Sequence, residues 1–181
     1  MNASTAAPRF QSRRLIIFAS MALYAVALFA PALSYHVIAS CTPGDTSCLT
    51  SPPYPHRDEG LESSSGMDML LSGILFAPFE GIFAAYANPL LWLGWIFLLR
   101  RKNRIALYCL LPACLLSLQS FELYRVHWPL DEGVVKRALL SHFQFGFFFW
   151  LVSLLLPATA ACCWYLVQRR ADSAVSPDSP N

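Results

Sequence analysis

Glu80, Asn88 and His142 are the residues of this chain best suited to binding chemistry. Glu80 is the lone acid in a long apolar stretch, and an ionisable group at membrane depth marks a functional site by default. It stands in Pro78-Phe79-Glu80-Gly81, a break in the apolar pattern that water can reach from an interface. An interfacial polar contact and a proton or solute site are both open to it. Asn88 precedes Pro89. A proline inside a helix has no N–H for the carbonyl four residues back. The Asn88 amide can take that carbonyl, or reach across to another helix. His142 brings a titratable imidazole to the start of the last apolar run, at the level expected for Glu80. Pro78, Gly81, Pro89 and Pro112 are structural candidates, for a turn, close packing and helix kinks.

Other reactive groups form no recognisable set. Cys41 and Cys48 flank the turn signal Pro43-Gly44 and are a candidate disulfide in an oxidising compartment. Cys41 also closes Ile38-Ala39-Ser40-Cys41, similar to a lipoprotein cleavage box, which leaves removal of the first span as an alternative. Cys109, Cys114, Cys162 and Cys163 show no C-x-x-C spacing and read as small apolar packing residues. His36, His56, His127 and His142 are scattered, without H-x-x-x-H or H-E-x-x-H spacing. No metal site, cofactor or catalytic set is predicted. Nucleophile-elbow, P-loop and dinucleotide-binding glycine patterns are absent from the sequence.

The elements that must carry these residues are apolar helices. The chain is 56% hydrophobic and 13% charged. A soluble domain is about one quarter charged, and one of 181 residues could not bury this much apolar surface. The net charge of +2 is too small to suggest a nucleic-acid partner. The lipid bilayer is the expected surroundings, with a protein partner or a second copy of the chain as further contacts. The predicted fold is an all-α integral membrane protein, a four-helix transmembrane bundle. Its spans are 15–34, 82–99, 105–121 and 143–167, with a short half-length or interfacial helix at 68–77 before the second span. Nine residues of helix reach about 14 Å, half a bilayer, so this helix is not expected to cross. Residues 35–68 read as an acidic loop, and 134–139 as a short interfacial helix by apolar spacing at Val134, Val135, Ala138 and Leu139. Residues 1–170 form one membrane domain, and 171–181 a disordered tail.

Charge placement orients the bundle. With these four crossings, Arg9, Arg13, Arg14, Arg100, Arg101, Lys102, Arg104, Arg169 and Arg170 share one side. Only Arg57, Arg125, Lys136 and Arg137 lie on the other. Basic residues mark the cytoplasmic side, so both termini are expected inside, in a cell inner membrane.

The central stretch resembles small polytopic bacterial inner-membrane proteins of uncharacterised activity. Gly66, Leu70, Leu71 and Gly73 are similar to a Gly-x-x-x-Leu-Leu-x-Gly-like segment, and Tyr86-Ala87-Asn88-Pro89-Leu90-Leu91 to the aromatic-Ala-Asn-Pro-Leu-Leu span that follows it. The likeness covers residues 66–118. It implies a compact bundle and a special role for Asn88-Pro89, and no activity. Three function classes remain: a protein acting through partners, as an accessory, envelope or immunity-type component; a small transporter or channel subunit with Glu80 and Asn88 on its path; and a membrane enzyme using the outer polar groups.

Overall fold

The computed structural model describes residues 7–40, 56–80, 83–125, 128–129 and 136–175. Helix α1, Ala7–Phe29, leads through Ala30 into strand β1, Pro31–Ser40. Strand β2, His56–Ser65, returns and passes without a break into α2, Gly66–Glu80. A 3-10 turn, Phe83–Tyr86, opens α3, Ala87–Leu99, and a tight turn leads to α4, Asn103–Leu118. A second 3-10 segment, Gln119–Tyr124, precedes β3, Trp128–Pro129, and β4, Lys136–Phe143. The last helix, α5, is Phe145–Val175.

The predicted all-α four-helix transmembrane bundle is therefore wrong on two counts. First, the molecule carries an antiparallel sheet of three long strands with a two-residue fourth, in the order β2-β1-β4-β3. Second, three helices are long and apolar enough to cross a membrane: 12–29, 103–124 and 145–170. The expected span 82–99 is not one of them. Its 3-10 turn leaves a 13-residue α-helix, about 20 Å long and short of a hydrocarbon core of about 30 Å.

The sheet escaped notice for physical reasons. β1 is central and pairs on both edges, with Ser34 opposite Ser63 on β2 and His142 on β4. Its side chains are buried on both faces from Ala32 to Tyr35, so the alternation that reveals a half-buried strand is missing. β2 (His-Arg-Asp-Glu-Gly-Leu-Glu-Ser-Ser-Ser) has no β-branched or aromatic residue and owes its conformation to pairing with β1. Of the predicted interfacial helix at 134–139, residues 136–139 belong to β4, where buried Ala138 and Leu140 alternate with exposed Arg137 and Ser141; 134 and 135 lie outside the described residues. Gly60, at φ +118°, stands where the β1–β2 register shifts, a conformation suited to glycine.

Other boundaries move as well. α2 runs from 66 through Pro78 to Glu80 instead of ending at 77. α5 continues to Val175, so 171–175 are helical rather than disordered tail. Pro112 lies within α4, and Pro157 within α5.

α2 starts with a reciprocal cap. The Ser65 hydroxyl accepts the Asp68 amide at 3.2 Å, and the Ser65 amide and hydroxyl donate to the Asp68 carboxylate at 3.1 and 2.7 Å. These bonds, the hydroxyl's first, hold the Asp68 carboxyl below its ordinary value. A carboxyl depressed on folding stabilises above its unfolded pKa of about 3.9, and loses that stabilisation as pH falls through the folded value. Ser65→Ala is expected to destabilise this helix start by about 1 kcal/mol. The protection factors of the first-turn amides, exchange taken relative to the intrinsic rate at each pH, should fall in the variant at pH 7, and in the native chain on acidification. Equal exchange in variant and native at pH 7 would remove the cap from the account.

Two apolar surfaces follow from this architecture. The helical core packs Ile17 and Tyr24 of α1, Leu91 and Trp95 of α3, Leu110 of α4, and Leu154 of α5. Large apolar side chains also point outward all along the helices: Leu15 is 70% exposed, Phe29 78%, Leu115 67% and Phe145 78%. An aqueous surface rarely carries so much contiguous hydrocarbon, whereas a lipid-facing one requires it.

Candidate functional site

The polar groups inside the helical region form one seam through α1, α3 and α5. Asn88 and Pro89 lie in the first turn of α3 rather than within a long span. There the missing proline N–H interrupts no established helix, so Pro89 starts α3 instead of kinking it. The Asn88 Nδ2 donates to the Ala85 carbonyl at 2.8 Å, the group that Pro89 leaves without its donor. The Asn88 Oδ1 accepts the Trp150 indole N–H of α5, also at 2.8 Å. One side chain thus does the local repair and the interhelical contact together. Asn88 itself is 5% exposed.

One helical turn further along, Ser20 joins three helices. Its hydroxyl donates to the Ser153 carbonyl of α5 at 2.6 Å and accepts the Trp95 indole N–H of α3 at 2.9 Å. The Ser153 hydroxyl turns back onto the Trp150 carbonyl at 2.7 Å. Both serines are fully buried. Tyr24 meets Trp92 and Trp95 edge-on, at centroid distances of 6.3 and 5.5 Å. Among the described residues its buried hydroxyl meets no hydrogen-bond partner within bonding geometry. Ser20 and Ser153 were not singled out from the sequence, and the tryptophans suggest there only an aromatic belt at the interfaces. The available signal was a hydroxyl or indole N–H inside a lipid-length apolar run, which must turn to a protein partner.

Of the other candidates, His142 and Pro112 do not join this seam. His142 is exposed on β4 at the sheet, with its Nδ1 3.2 Å from the Ser141 hydroxyl. Glu80 and Pro78 belong to the last turn of α2, and their side chains lie outside the described part. Gly81, Cys41 and Cys48 also lie outside the described residues. Pro112 is exposed on α4. Cys109 and Cys114 are half-buried, whereas Cys162 and Cys163 are exposed rather than packed. Among the described residues no group of His, Cys, Asp and Glu is placed to hold a metal ion. The shallow apolar depression beside Ala25, Val26, Phe29 and Ala30 touches neither Asn88 nor His142.

The two ends of the bundle differ sharply. At one end β1 leaves α1 and β4 enters α5, tied by the Gln144 amide on the Ala32 carbonyl at 2.8 Å and the Gln144 side-chain amide on the Ser34 hydroxyl. Phe143 stacks on Phe147 at 3.8 Å, and Phe121 meets both edge-on. This end carries the acids Glu59, Glu62 and Glu122 on its surface. At the other end α1, the α3–α4 turn and α5 meet around Asn103, which is 7% exposed. Its Oδ1 accepts from Arg13 at 2.8 Å, and its Nδ2 donates to Gln168 at 3.4 Å. The Arg13 guanidinium also lies 4.4 Å from the Trp164 ring centre, a cation–π contact. The beginning of α1 and the late part of α5 are thereby at the same end, with Arg14, residues 100–104 and Arg169-Arg170 around them.

This arrangement is a membrane-type helical body with a sheet on one end and a basic cluster on the other. No family model matches the chain, and no curated protein or solved structure matches it either.

Proposed function

We propose that this chain is a multi-pass protein of a bacterial inner membrane that acts through protein partners, as an accessory, envelope or immunity-type component. One observation carries the reading: the hydroxyls, amide and indoles of the seam are spent on one another, with the Tyr24 hydroxyl left over. Asn88, Trp150, Ser20, Trp95 and Ser153 bond within the seam, which favours a packed scaffold over a solute path. The basic end faces the cytoplasm by the charge rule, and both the α1 start and the late part of α5 face it too; between the first two long helices the shorter α3, packed inside the helical body, returns the chain to this end. The sheet then faces outward. Its outermost long strand, β2, presents Glu59, Leu61 and Glu62 to solvent, and strand edges recruit extended segments of other proteins.

The test is a photocrosslinking amino acid at Leu61 of β2, with Leu115 on the lipid-facing side of α4 as control. In native membranes the expected result is a discrete protein adduct at Leu61 and none at Leu115. In the same cells, a cysteine at Glu59 should react with an impermeant reagent and one at Lys102 should not. Adducts at neither position would overturn the partner reading. Reagent access at Lys102 alone would reverse the orientation.

A further inference from the structure

The α3–α4 turn breaks two local rules at once. α3 ends in a Schellman motif: the Lys102 amide bonds to the Phe97 carbonyl at 2.9 Å and the Arg101 amide to the Leu98 carbonyl at 3.0 Å. The motif places Arg101 at φ 59°, in the left-handed region where glycine is the usual occupant. The next helix starts as poorly. The N-cap of α4 is Lys102, with no side-chain cap, and an ammonium has no acceptor to offer. Neither choice serves the turn itself. Conflicts between local preference and the residue present concentrate at functional sites.

Both choices have one chemical result, a concentration of positive charge at a helix N-terminus. Arg100, Arg101, Lys102 and Arg104 are exposed there. Among the described side chains at this end none is acidic. The uncapped first turn of α4 adds backbone N–H groups and the positive end of its dipole. Such a site is complementary to a phosphate. Below it the surface turns apolar at once: Leu99, Ile105 and Tyr108 are exposed, Tyr108 by 63%. Tyr108 also accepts the Arg104 Nε–H at 3.3 Å. A phosphate with hydrocarbon directly beneath it is a phospholipid.

We propose that the α3–α4 turn binds the headgroup phosphate of an anionic phospholipid, with the first-turn amides of α4 and Arg100, Lys102 and Arg104 as donors. Binding supplies the cap that Lys102 lacks and offsets the repulsion around Arg101. The acyl chains lie against Leu99, Ile105 and Tyr108. The site does not depend on which side of a membrane the turn faces, so it stands or falls separately from the orientation above.

The full chain in nanodiscs of mixed phosphatidylglycerol and phosphatidylcholine tests this by native mass spectrometry of retained lipid. The expected preference for phosphatidylglycerol is about tenfold. Lys102→Asp, which removes a cation and installs a cap, should bring the preference near parity without lowering the detergent melting temperature. Arg100→Gln, which leaves the cap untouched, should weaken it by about threefold. Parity in the native chain, or undiminished preference in both variants, overturns the proposal. So does displacement of the lipid by inorganic phosphate as readily as by added phosphatidylglycerol, which identifies a soluble anion as the ligand.

Discussion

Gly66→Ala is expected to destabilise this protein more than any other single-methyl addition at its described glycines. Gly66 is the residue at which β2 becomes α2, and its amide donates to the Ala30 carbonyl at 3.2 Å. It is pressed against α1. A methyl there would overlap the Ala27 carbonyl oxygen and crowd the Leu28 Cα. The obstacle is helix backbone, which cannot rotate aside as a side chain can. Relief requires α2 and the sheet to shift away from α1, and the cost is about 3 kcal/mol, high in the range for overpacking. Gly94 makes a useful comparison. Its added methyl would meet the Leu110 Cδ2 at 2.5 Å, the mobile end of a side chain, so the expected loss is smaller. At Gly60 nothing lies within 4 Å, and only backbone strain of about 1 kcal/mol applies. Melting temperatures in detergent should therefore fall in the order Gly66→Ala, Gly94→Ala, Gly60→Ala, largest loss first. A Gly66→Ala chain as stable as the native one would mean that α1 and α2 are not in this contact.

Asn88→Leu is expected to be nearly as damaging, for an electrostatic reason. The substitution keeps side-chain size and removes both bonds of the amide. It leaves the Trp150 indole N–H and the Ala85 carbonyl unpaired among apolar side chains. Interhelical bonds in membranes average about 0.6 kcal/mol, but a stranded buried polar group costs about 1–3 kcal/mol. The expected total is about 2–4 kcal/mol. A double-mutant cycle with Trp150→Phe separates this account from a mere volume effect. Once the indole N–H is gone, Asn88→Leu strands one group instead of two. The double variant should be less destabilised than the sum of the singles, by about 1 kcal/mol or more. Strict additivity would show that the Asn88–Trp150 contact contributes nothing.

Asn88 shows how local chemistry can be read directly from a chain. A proline in an apolar run exposes a known carbonyl, and the preceding amide is the nearest donor. The same reasoning failed on the sheet. The apolar run 15–33 passes from α1 into the start of β1 without a break in the sequence, and only Ala30 separates the two elements in the fold. Hydrophobicity alone cannot tell where such a stretch changes from helix to strand. The Val134, Val135, Ala138 and Leu139 spacing fitted a helix, but pairing with β1 decided the conformation of 136–143. Propensity was overruled by partners distant in the chain. The Ser20–Trp95–Ser153 seam was hidden differently. Each residue is ordinary alone, and the meaning lies in three helices bringing Trp95 and the Ser153 carbonyl within 3 Å of the Ser20 hydroxyl.

The β1–β4 pairing also sets a timetable for synthesis. Ser34 and Gln144, joined across it, stand 110 residues apart. α1 and β1 leave the ribosome first, yet β1 keeps one edge without its partner until β4 has been made. That waiting edge is the kind of surface that pairs with the wrong strand. A chain cut short before β4 would hold α1 to α4 and none of this latch.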